Sequence, residues 1–195
     1  MNVRDNWLVG ENIFKIRSPN IGDYYQPDTI VLHYTAGATA ESSVSHLINP
    51  STEVSAHLVV SRDLRIFQLI PFDRVAWHAG KSKWKERESL NRYSIGIEID
   101  NAGKLDCIEG RYLSWFGKEY AESEVISAKH QNSEKIEFWH KYENQQLERV
   151  ADICKLLIKE YGVTEILGHD EIAPERKIDP GPAFPMDRYK QLLAR

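Results

Sequence analysis

The sequence predicts a single α/β domain in which helices flank a central mixed β-sheet. Three observations support this class: short β-branched apolar runs bounded by turn residues, apolar residues at helical spacing between some of these runs, and a length that suits one hydrophobic core. The chain has 195 residues, of which 42% are hydrophobic and 28% charged, as is typical of globular proteins. It has no internal repeat and no low-complexity segment, so one domain accounts for its length.

Charge and cysteine content limit the partners and the location that the sequence suggests. The net charge is −4 without a basic stripe, which argues against nucleic acid as the main partner. No stretch approaches the length of a membrane span, and residues 1–7 lack the apolar region of a secretory signal. Cys107 and Cys154 are far apart and are expected to be reduced, which suits a cytoplasmic protein.

The first elements place a histidine at the end of a buried strand. Residues 1–28 are rich in turns and are expected to form an arm that leads to the first core strand. The run Thr29–Tyr34 is β-branched and apolar and predicts a buried strand with His33 at its carboxyl end. Thr39 is then expected to cap a short helix that runs to about Ile48.

The next segment predicts a β-hairpin followed by an aromatic loop. Two strands, 55–61 and 64–70, are joined by a short polar turn. His57 lies on the first of these strands, where it either lines a cleft or forms hydrogen bonds in the interior. Trp77 and His78 follow on a loop and can form a stacking wall for a sugar or peptide. A tryptophan that closes the edge of the core is an equal alternative.

A carboxylate inside an apolar strand is the main anomaly of the chain. The run 94–100 predicts a strand, and Glu98 lies within it. Burial of this side chain without a partner would be costly, so it requires a metal ion, a hydrogen bond or a raised pKa. Carboxylates in such settings are frequent at catalytic sites.

The following segment, 101–142, has a weaker pattern and is expected to form an inserted lobe. Its two histidines, His130 and His140, are expected to face solvent. A long helix is predicted over 143–161, because apolar residues recur there at spacings of three and four and Gly162 supplies a stop.

The last part of the chain delivers a second histidine at a strand end. A short strand over 164–168 is followed directly by His169. The segment 168–182 contains three prolines and two glycines and is expected to form an irregular loop instead of a helix. Residues 185–195 predict a closing helix.

His33 and His169 therefore both lie at carboxyl ends of strands, the edge at which open α/β sheets bind ligands. With Asp179 from the loop they supply the three protein ligands of a catalytic zinc site, which keeps a fourth position open. Glu98 would then take a proton from the attacking water, and Lys177 would stabilise the oxyanion of a tetrahedral intermediate.

This set predicts hydrolysis of an amide or an ester. No serine or cysteine lies in a nucleophile motif that would compete with it. Taken without the rest of the chain, the same loop is better explained as a surface segment in which Lys177 pairs with Asp179 or Glu175.

The same segments resemble the type 2 N-acetylmuramoyl-L-alanine amidases, a family of zinc enzymes that includes a cytoplasmic recycling amidase, phage lysis amidases and peptidoglycan recognition proteins. The resemblance spans roughly residues 28–190 and depends, in order, on the motifs at 31–35, 55–57, 76–80, 94–98 and 168–182. It implies that Zn²⁺ is bound by His33, His169 and Asp179, that Glu98 is the general base, that Lys177 stabilises the transition state and that Arg176 contacts the substrate.

By this resemblance the substrate is peptidoglycan or a muropeptide, cleaved between N-acetylmuramic acid and L-alanine. Some members carry a catalytic tyrosine immediately before the central histidine. Here that position is Ala56, so the role of base is assigned to Glu98.

Four questions stay open at this stage. A module that binds muropeptides without cutting them, and a zinc hydrolase of another amide, are the alternatives to the amidase, although a full set of ligands, base and lysine favours the enzyme. The chain fits either a cytoplasmic recycling role or a lysis role with release through a phage holin. The oligomeric state is open, and the segment 101–142 fits a lid over the cleft, a cell-wall contact or a dimer surface.

Overall fold

In the computed structural model, which describes residues 1–194, a six-stranded mixed sheet carries one long helix and is joined to a second, five-stranded sheet. The first half of the chain contains β1 (Asn2–Arg4), β2 (Trp7–Val9), β3 (Ile13–Lys15), β4 (Ile21–Tyr24), β5 (Thr29–Tyr34), α1 (Ala40–Leu47), β6 (Leu58–Val60), β7 (Ile66–Gln68), β8 (Arg74–Ala76), β9 (Lys83–Trp84), β10 (Arg87–Glu88) and β11 (Ser94–Ile99).

The second half contains β12 (Lys104–Ile108), β13 (Arg111–Leu113), β14 (Glu119–Tyr120), β15 (Val125–Lys129), β16 (Ile136–His140), α2 (Asn144–Tyr161), β17 (Glu165–Gly168), α3 (His169–Ile172) and α4 (Met186–Lys190). Single 3-10 turns lie at Pro50–Thr52, Leu90–Arg92, Glu122–Glu124 and Gln191–Ala194. Among the described helices, none is long and apolar enough to cross a lipid bilayer.

The central sheet has the strand order β17, β5, β11, β6, β7, β3. The first four strands are parallel, β6 and β7 form an antiparallel hairpin, and β3 pairs in parallel with β7. Strand β5 is apolar on both faces because both are covered: Ile30 and Leu32 pack in the core that includes α2, and Val31 packs on the other side. This confirms the predicted α/β class with its mixed sheet.

Several elements match their predictions closely. Strand β5 has the predicted bounds, and Thr39 caps α1 by accepting a hydrogen bond from the backbone N–H of Ser42. Helix α2 begins one residue later than predicted and ends at Gly162, whose φ of 66° is the left-handed conformation that a glycine adopts without strain.

Two terminal segments differ from their predictions. The arm over 1–28 contains four short strands, and β3 extends the edge of the central sheet, because its N–H and C=O groups pair with β7. The predicted closing helix over 185–195 is shorter, since α4 gives way to a 3-10 turn after Lys190. Arg195 lies outside the described residues.

The prediction that no helix occurs in the loop after β17 was wrong for its first residues. His169 begins α3, a single helical turn. The prolines lie beyond this turn, and the carboxylate of Glu171 accepts a hydrogen bond of 2.8 Å from the N–H of Gly168, which satisfies a free donor at the helix start.

Residues 101–142 carry the second sheet, with the antiparallel strand order β14, β13, β12, β16, β15. The two ends of this segment meet at Asn101, whose side-chain amide donates hydrogen bonds of 3.1 Å to the carbonyls of His140 and Lys141. Leu105 and Tyr120 belong to a small separate apolar cluster in this sheet.

The prediction that His130 and His140 face solvent was wrong. His130 is 2% exposed, and its Nε2 lies 2.9 Å from a carboxylate oxygen of Asp170. His140 is 3% exposed, and its Nδ1 accepts a hydrogen bond from the N–H of Ala102. Both rings also pack on aromatic side chains of the lobe, which accounts for their burial.

Replacement of His140 by asparagine is expected to make the protein less sensitive to acid. Burial, together with the charges of Arg62 and Lys118, lowers the pKa of His140 from 6.5 to about 3. Unfolding therefore takes up a proton below pH 6.5, so the free energy of unfolding should fall as the pH drops from 6.5 towards 3, by at most about 1.4 kcal/mol per pH unit.

Asparagine keeps an acceptor for the N–H of Ala102 but does not titrate. We expect urea unfolding of His140→Asn at neutral and mildly acidic pH to show a shallower pH slope than the wild type. His46→Asn, which changes an exposed histidine of α1, is the matched control. A His140→Asn protein with the wild-type slope would contradict the prediction.

Candidate active site

Three adjacent parallel strands place the predicted site residues at one edge of the central sheet. His33 near the end of β5 is in register with Glu98 of β11, and Gly168 at the end of β17 is in register with Leu32. His169 follows β17 directly. Because the carboxyl ends of parallel strands share an edge, residues far apart in sequence meet there.

His33, His169 and Asp179 form a buried cluster in which three potential metal ligands converge. His33 Nδ1 lies 2.9 Å from His169 Nδ1, and Asp179 Oδ2 lies 2.9 Å from His33 Nδ1 and 3.0 Å from His169 Nδ1. The three side chains are mutually close enough to hold one metal ion. One carboxylate oxygen and two imidazole nitrogens are a donor set that Zn²⁺ accepts.

The second nitrogen of each imidazole fixes which nitrogen faces the cluster. His169 Nε2 lies 3.1 Å from the carbonyl oxygen of Ala79 and donates to it. His33 Nε2 lies 3.0 Å from His78 Nδ1, and His78 Nε2 lies 3.3 Å from the carbonyl oxygen of Ser94. We assign protons to all three Nε2 atoms from this network. The unprotonated Nδ1 atoms of His33 and His169 are then available to a metal ion held beside Asp179.

The protonation states of the cluster also suit a cation. Burial and the neighbouring His169 lower the pKa of His33 to about 4, so its imidazole is neutral at neutral pH. Burial alone would raise the pKa of Asp179, but the adjacent imidazoles of His169 and His33 hold it below its ordinary range. Neutral imidazole and ionised carboxylate are the forms that ligate metals.

Glu98 lines the same cavity as this cluster. Its Oε2 is buried and has no hydrogen-bond partner among residues 1–194. Burial, followed by the negative charge of Asp179, raises its pKa well above the ordinary range, while Lys177 acts in the opposite direction. Glu98, Lys177 and Asp179 all line one cavity of about 650 Å³.

Lys177 points to this cavity and does not form the surface ion pair that was the alternative explanation. In the described part of the chain, its ammonium makes no salt bridge with Asp179 or Glu175. Its charge nevertheless acts on both His33 and Glu98. The cation is therefore near the cluster and free to meet a ligand.

Trp77 and His78, which were expected to form an aromatic wall together, lie in different surroundings. Trp77 is 40% exposed and lines the cavity, with its ring over Gly22. His78 also lines the cavity but is held between His33 and Ser94 by the contacts above. Gly96 leaves room for it, since an added Cβ would lie 2.3 Å from His78 Cγ.

Of the two positions that the sequence left open for His57, at a cleft or in the interior, the structure shows the interior one. Its side chain is fully buried and does not line the cavity. Nδ1 accepts a hydrogen bond of 3.0 Å from the N–H of Gly96, and Nε2 lies 2.9 Å from the carbonyl oxygen of Arg74 and 3.1 Å from the hydroxyl of Tyr25. These partners occupy both nitrogens, so His57 belongs to the interior.

Arg176 is placed differently from the substrate contact expected of it. Its guanidinium donates hydrogen bonds of 2.8 Å to the carbonyls of Ala79 and Lys81, and the same nitrogen lies 3.4 Å from His169 Nε2. It does not line the cavity. These acceptors hold the side chain against the loop that follows Trp77, and Arg176 therefore supports the loop and His169.

Trp115 and Phe116 line the same cavity and were missed by the sequence analysis. They occupy the turn between β13 and β14, in the segment 101–142. The paired aromatics before Gly117 were the only local signal, and they give no indication of which surface the turn approaches.

Comparisons with known proteins identify the family and the fold to which this chain is similar. The family model described as N-acetylmuramoyl-L-alanine amidase matches residues 23–182. The chain is 28% identical to the 1,6-anhydro-N-acetylmuramyl-L-alanine amidase AmpD of Escherichia coli K12, over all of this chain and 98% of that protein. A crystal structure of an AmpD selenomethionine derivative is similar over 99% of both chains, with 26% identity and a TM-score of 0.68.

A second solved structure is a complex of the amidase AmiD from Escherichia coli with the substrate anhydro-N-acetylmuramic acid-L-Ala-D-gamma-Glu-L-Lys. It shares 30% identity and a TM-score of 0.65 with this protein, over 87% of this chain. The similarity covers 58% of the AmiD chain. It also covers 62% of a 32% identical AmpD of Salmonella typhimurium SL1344, so this chain spans about three fifths of the length of these two relatives.

Proposed function

The chain belongs to the N-acetylmuramoyl-L-alanine amidase family, and from this membership we propose that it hydrolyses the amide bond between N-acetylmuramic acid and L-alanine with the help of Zn²⁺. The observation that carries the proposal is the convergence of His33 Nδ1, His169 Nδ1 and Asp179 Oδ2, within 3.0 Å of their nearest partners, beside Glu98 and Lys177 in one cavity.

Each residue has a role that follows from its position. His33, His169 and Asp179 would hold the zinc ion, which when bound acidifies a water molecule, polarises the scissile carbonyl and favours the ionised form of Glu98. Glu98 would take the proton of the attacking water on a carboxylate oxygen that has no other partner among the described residues. The same carboxyl group, once protonated, would donate to the leaving nitrogen of L-alanine.

The raised pKa of Glu98 supports this second step. Burial and the charge of Asp179 favour its neutral form, so the proton that it accepts is held until the amine leaves. His78 would keep His33 oriented through the contact between His33 Nε2 and His78 Nδ1. Its proposed role is therefore to position the metal ligand His33 and not to contact the substrate.

Replacing Lys177 with methionine is expected to lower kcat and leave KM nearly unchanged. The ammonium acts where negative charge develops on the carbonyl oxygen, and removal of one such donor typically costs roughly 10²- to 10³-fold in kcat. Steady-state kinetics of Lys177→Met and of the exposed loop variant Glu175→Gln on a muramyl peptide test this. A rise in KM alone would instead make Lys177 a binding residue.

The proposal as a whole is tested by the products of the reaction. Zinc-loaded protein is incubated with purified muropeptides and, separately, with intact peptidoglycan sacculi, and the products are identified by mass spectrometry. We expect free stem peptide that begins with L-alanine. No cleavage of either substrate by protein with bound zinc would contradict the amidase function.

The same assay addresses substrate and location. Because the AmpD relatives are named for 1,6-anhydro-N-acetylmuramyl substrates, we propose a cytoplasmic role on soluble muropeptides. Preferred cleavage of 1,6-anhydromuropeptides over sacculi supports it. Preferred cleavage of sacculi would support the alternative role in lysis, with release through a holin.

A further inference from the structure

The turn between β13 and β14 brings an exposed indole to the cavity that contains the candidate metal site. Trp115 is 74% exposed, yet it lines this cavity together with Phe116. The two rings meet edge to face, with their centroids 5.7 Å apart. An open aromatic ring on a cavity wall offers a flat apolar surface to a ligand, at the expense of remaining in water when the cavity is empty.

The position of this indole is fixed by a specific contact with the catalytic edge of the sheet. Trp115 Nε1 donates a hydrogen bond of 2.6 Å to the carbonyl oxygen of Ala36, three residues after His33. Ala36 has a φ of 48°, a left-handed conformation that is unfavourable for a non-glycine residue. Its N–H donates in turn to the carbonyl oxygen of Asn101, which supports this conformation.

The wall beside Trp115 is small and neutral. The segment after β5 contributes Ala36, Gly37 and Ala38 to the cavity lining, and α1 contributes Ser42 and Ser43. Among the described lining residues, Glu98, Lys177 and Asp179 are the ones with a formal charge, apart from histidines, and they lie at the candidate metal site. A stem peptide with several carboxylates would require cations along this wall, whereas a sugar ring does not.

We propose that the indole of Trp115 is the surface on which the pyranose ring of the muramyl group packs when substrate is bound. The inference rests on the proposed amidase function, because it assigns the sugar side of that substrate. The apolar C–H face of the pyranose would lie on the indole, next to the small uncharged wall of Ala36, Gly37 and Ala38. The segment 101–142 thus contributes to substrate recognition and acts as a wall of the cleft.

The first test measures binding without turnover. Calorimetry with zinc-loaded wild type and Trp115→Ala uses two probes, N-acetylmuramic acid alone and the dipeptide L-Ala-γ-D-Glu alone. We expect the loss of the indole to weaken sugar binding roughly three- to tenfold and to leave dipeptide binding unchanged. Equal weakening of both probes, or unchanged sugar binding, would overturn the assignment.

Two further variants separate the ring from its hydrogen bond. Trp115→Phe keeps an aromatic face but cannot donate to Ala36, so it should retain more sugar affinity than Trp115→Ala. An equal loss in both variants would show that the indole acts only through Ala36 and would overturn the proposal. Tyr24→Ala, which removes a 76% exposed ring outside the cavity lining, is the matched control and should bind both probes normally.

Kinetics then connect the surface to the reaction. Trp115→Ala should raise KM for a muramyl peptide severalfold with little change in kcat, because its contact is made equally in the ground and transition states. If the wild type cleaves no muramyl peptide, the amidase proposal fails, and the sugar assignment is still decided by calorimetry. If the wild type cleaves and Trp115→Ala has the same KM, only the Trp115 proposal fails.

Discussion

Replacing Asp179 with alanine is expected to abolish both zinc binding and turnover. The carboxylate would supply the one anionic ligand of the proposed zinc site, and its Oδ2 lies within 3.0 Å of the Nδ1 atoms of both histidines. Without it, two neutral imidazoles remain, and no negative charge is left in the cluster to hold a divalent cation. The loss in metal affinity and in activity should exceed the roughly 100-fold effect that is typical for the loss of an outer-sphere partner.

Metal content measured by mass spectrometry after dialysis, together with the rate of muramyl-peptide cleavage, tests this expectation. Glu175→Ala is the matched control, because it removes an exposed carboxylate from the same loop. Circular dichroism verifies that both variants are folded. An Asp179→Ala protein that still holds one zinc ion per chain would show that the ligand set is wrong.

The Glu98→Gln substitution is expected to separate metal binding from catalysis. Glutamine preserves the size of the side chain, and Glu98 is not one of the three clustered ligands, so zinc content should stay at the wild-type level. The amide cannot accept the proton of the attacking water. We therefore expect kcat to fall about 10²- to 10⁴-fold, the usual contribution of a general base.

Asp100→Asn provides the comparison for this variant, because Asp100 follows the same strand and does not line the cavity. Its kcat should remain near that of the wild type. Turnover by Glu98→Gln at the wild-type rate would assign the base to another group. Loss of zinc from Glu98→Gln would instead place Glu98 among the ligands.

Much of the site is predictable from local sequence because its residues break local rules. Glu98 interrupts an apolar strand, and His33 and His169 lie at the carboxyl ends of two other strands. The hydrophobic pattern alone therefore indicates the edge of the sheet at which they meet. The loop that carries Asp179 is marked by its prolines and glycines. Sheet register, which determines that His33 lies beside Glu98, follows from non-local pairing and becomes visible only in the structure.

The residues that sequence analysis placed wrongly depend on partners that are distant in the chain. His130 is buried because Asp170, forty residues later, lies next to its Nε2. His78 touches His33, and Trp115 is held by Ala36; neither contact leaves a periodic signal in the sequence. The segment 101–142 is also built of short strands, for which hydrophobic alternation is weakest.

The way in which the second sheet is attached determines which parts of the segment 101–142 can change in length. Asn101 ties the entry of this segment to its exit through the carbonyls of His140 and Lys141, so the chain returns almost to the point where it left. The exposed turn between β12 and β13 can therefore change in length without shifting β11 and its carboxylate, whereas Trp115 and His130 tie other parts of the segment to Ala36 and Asp170. The second sheet can thus differ in size while the strand that carries Glu98 keeps its place in the central sheet.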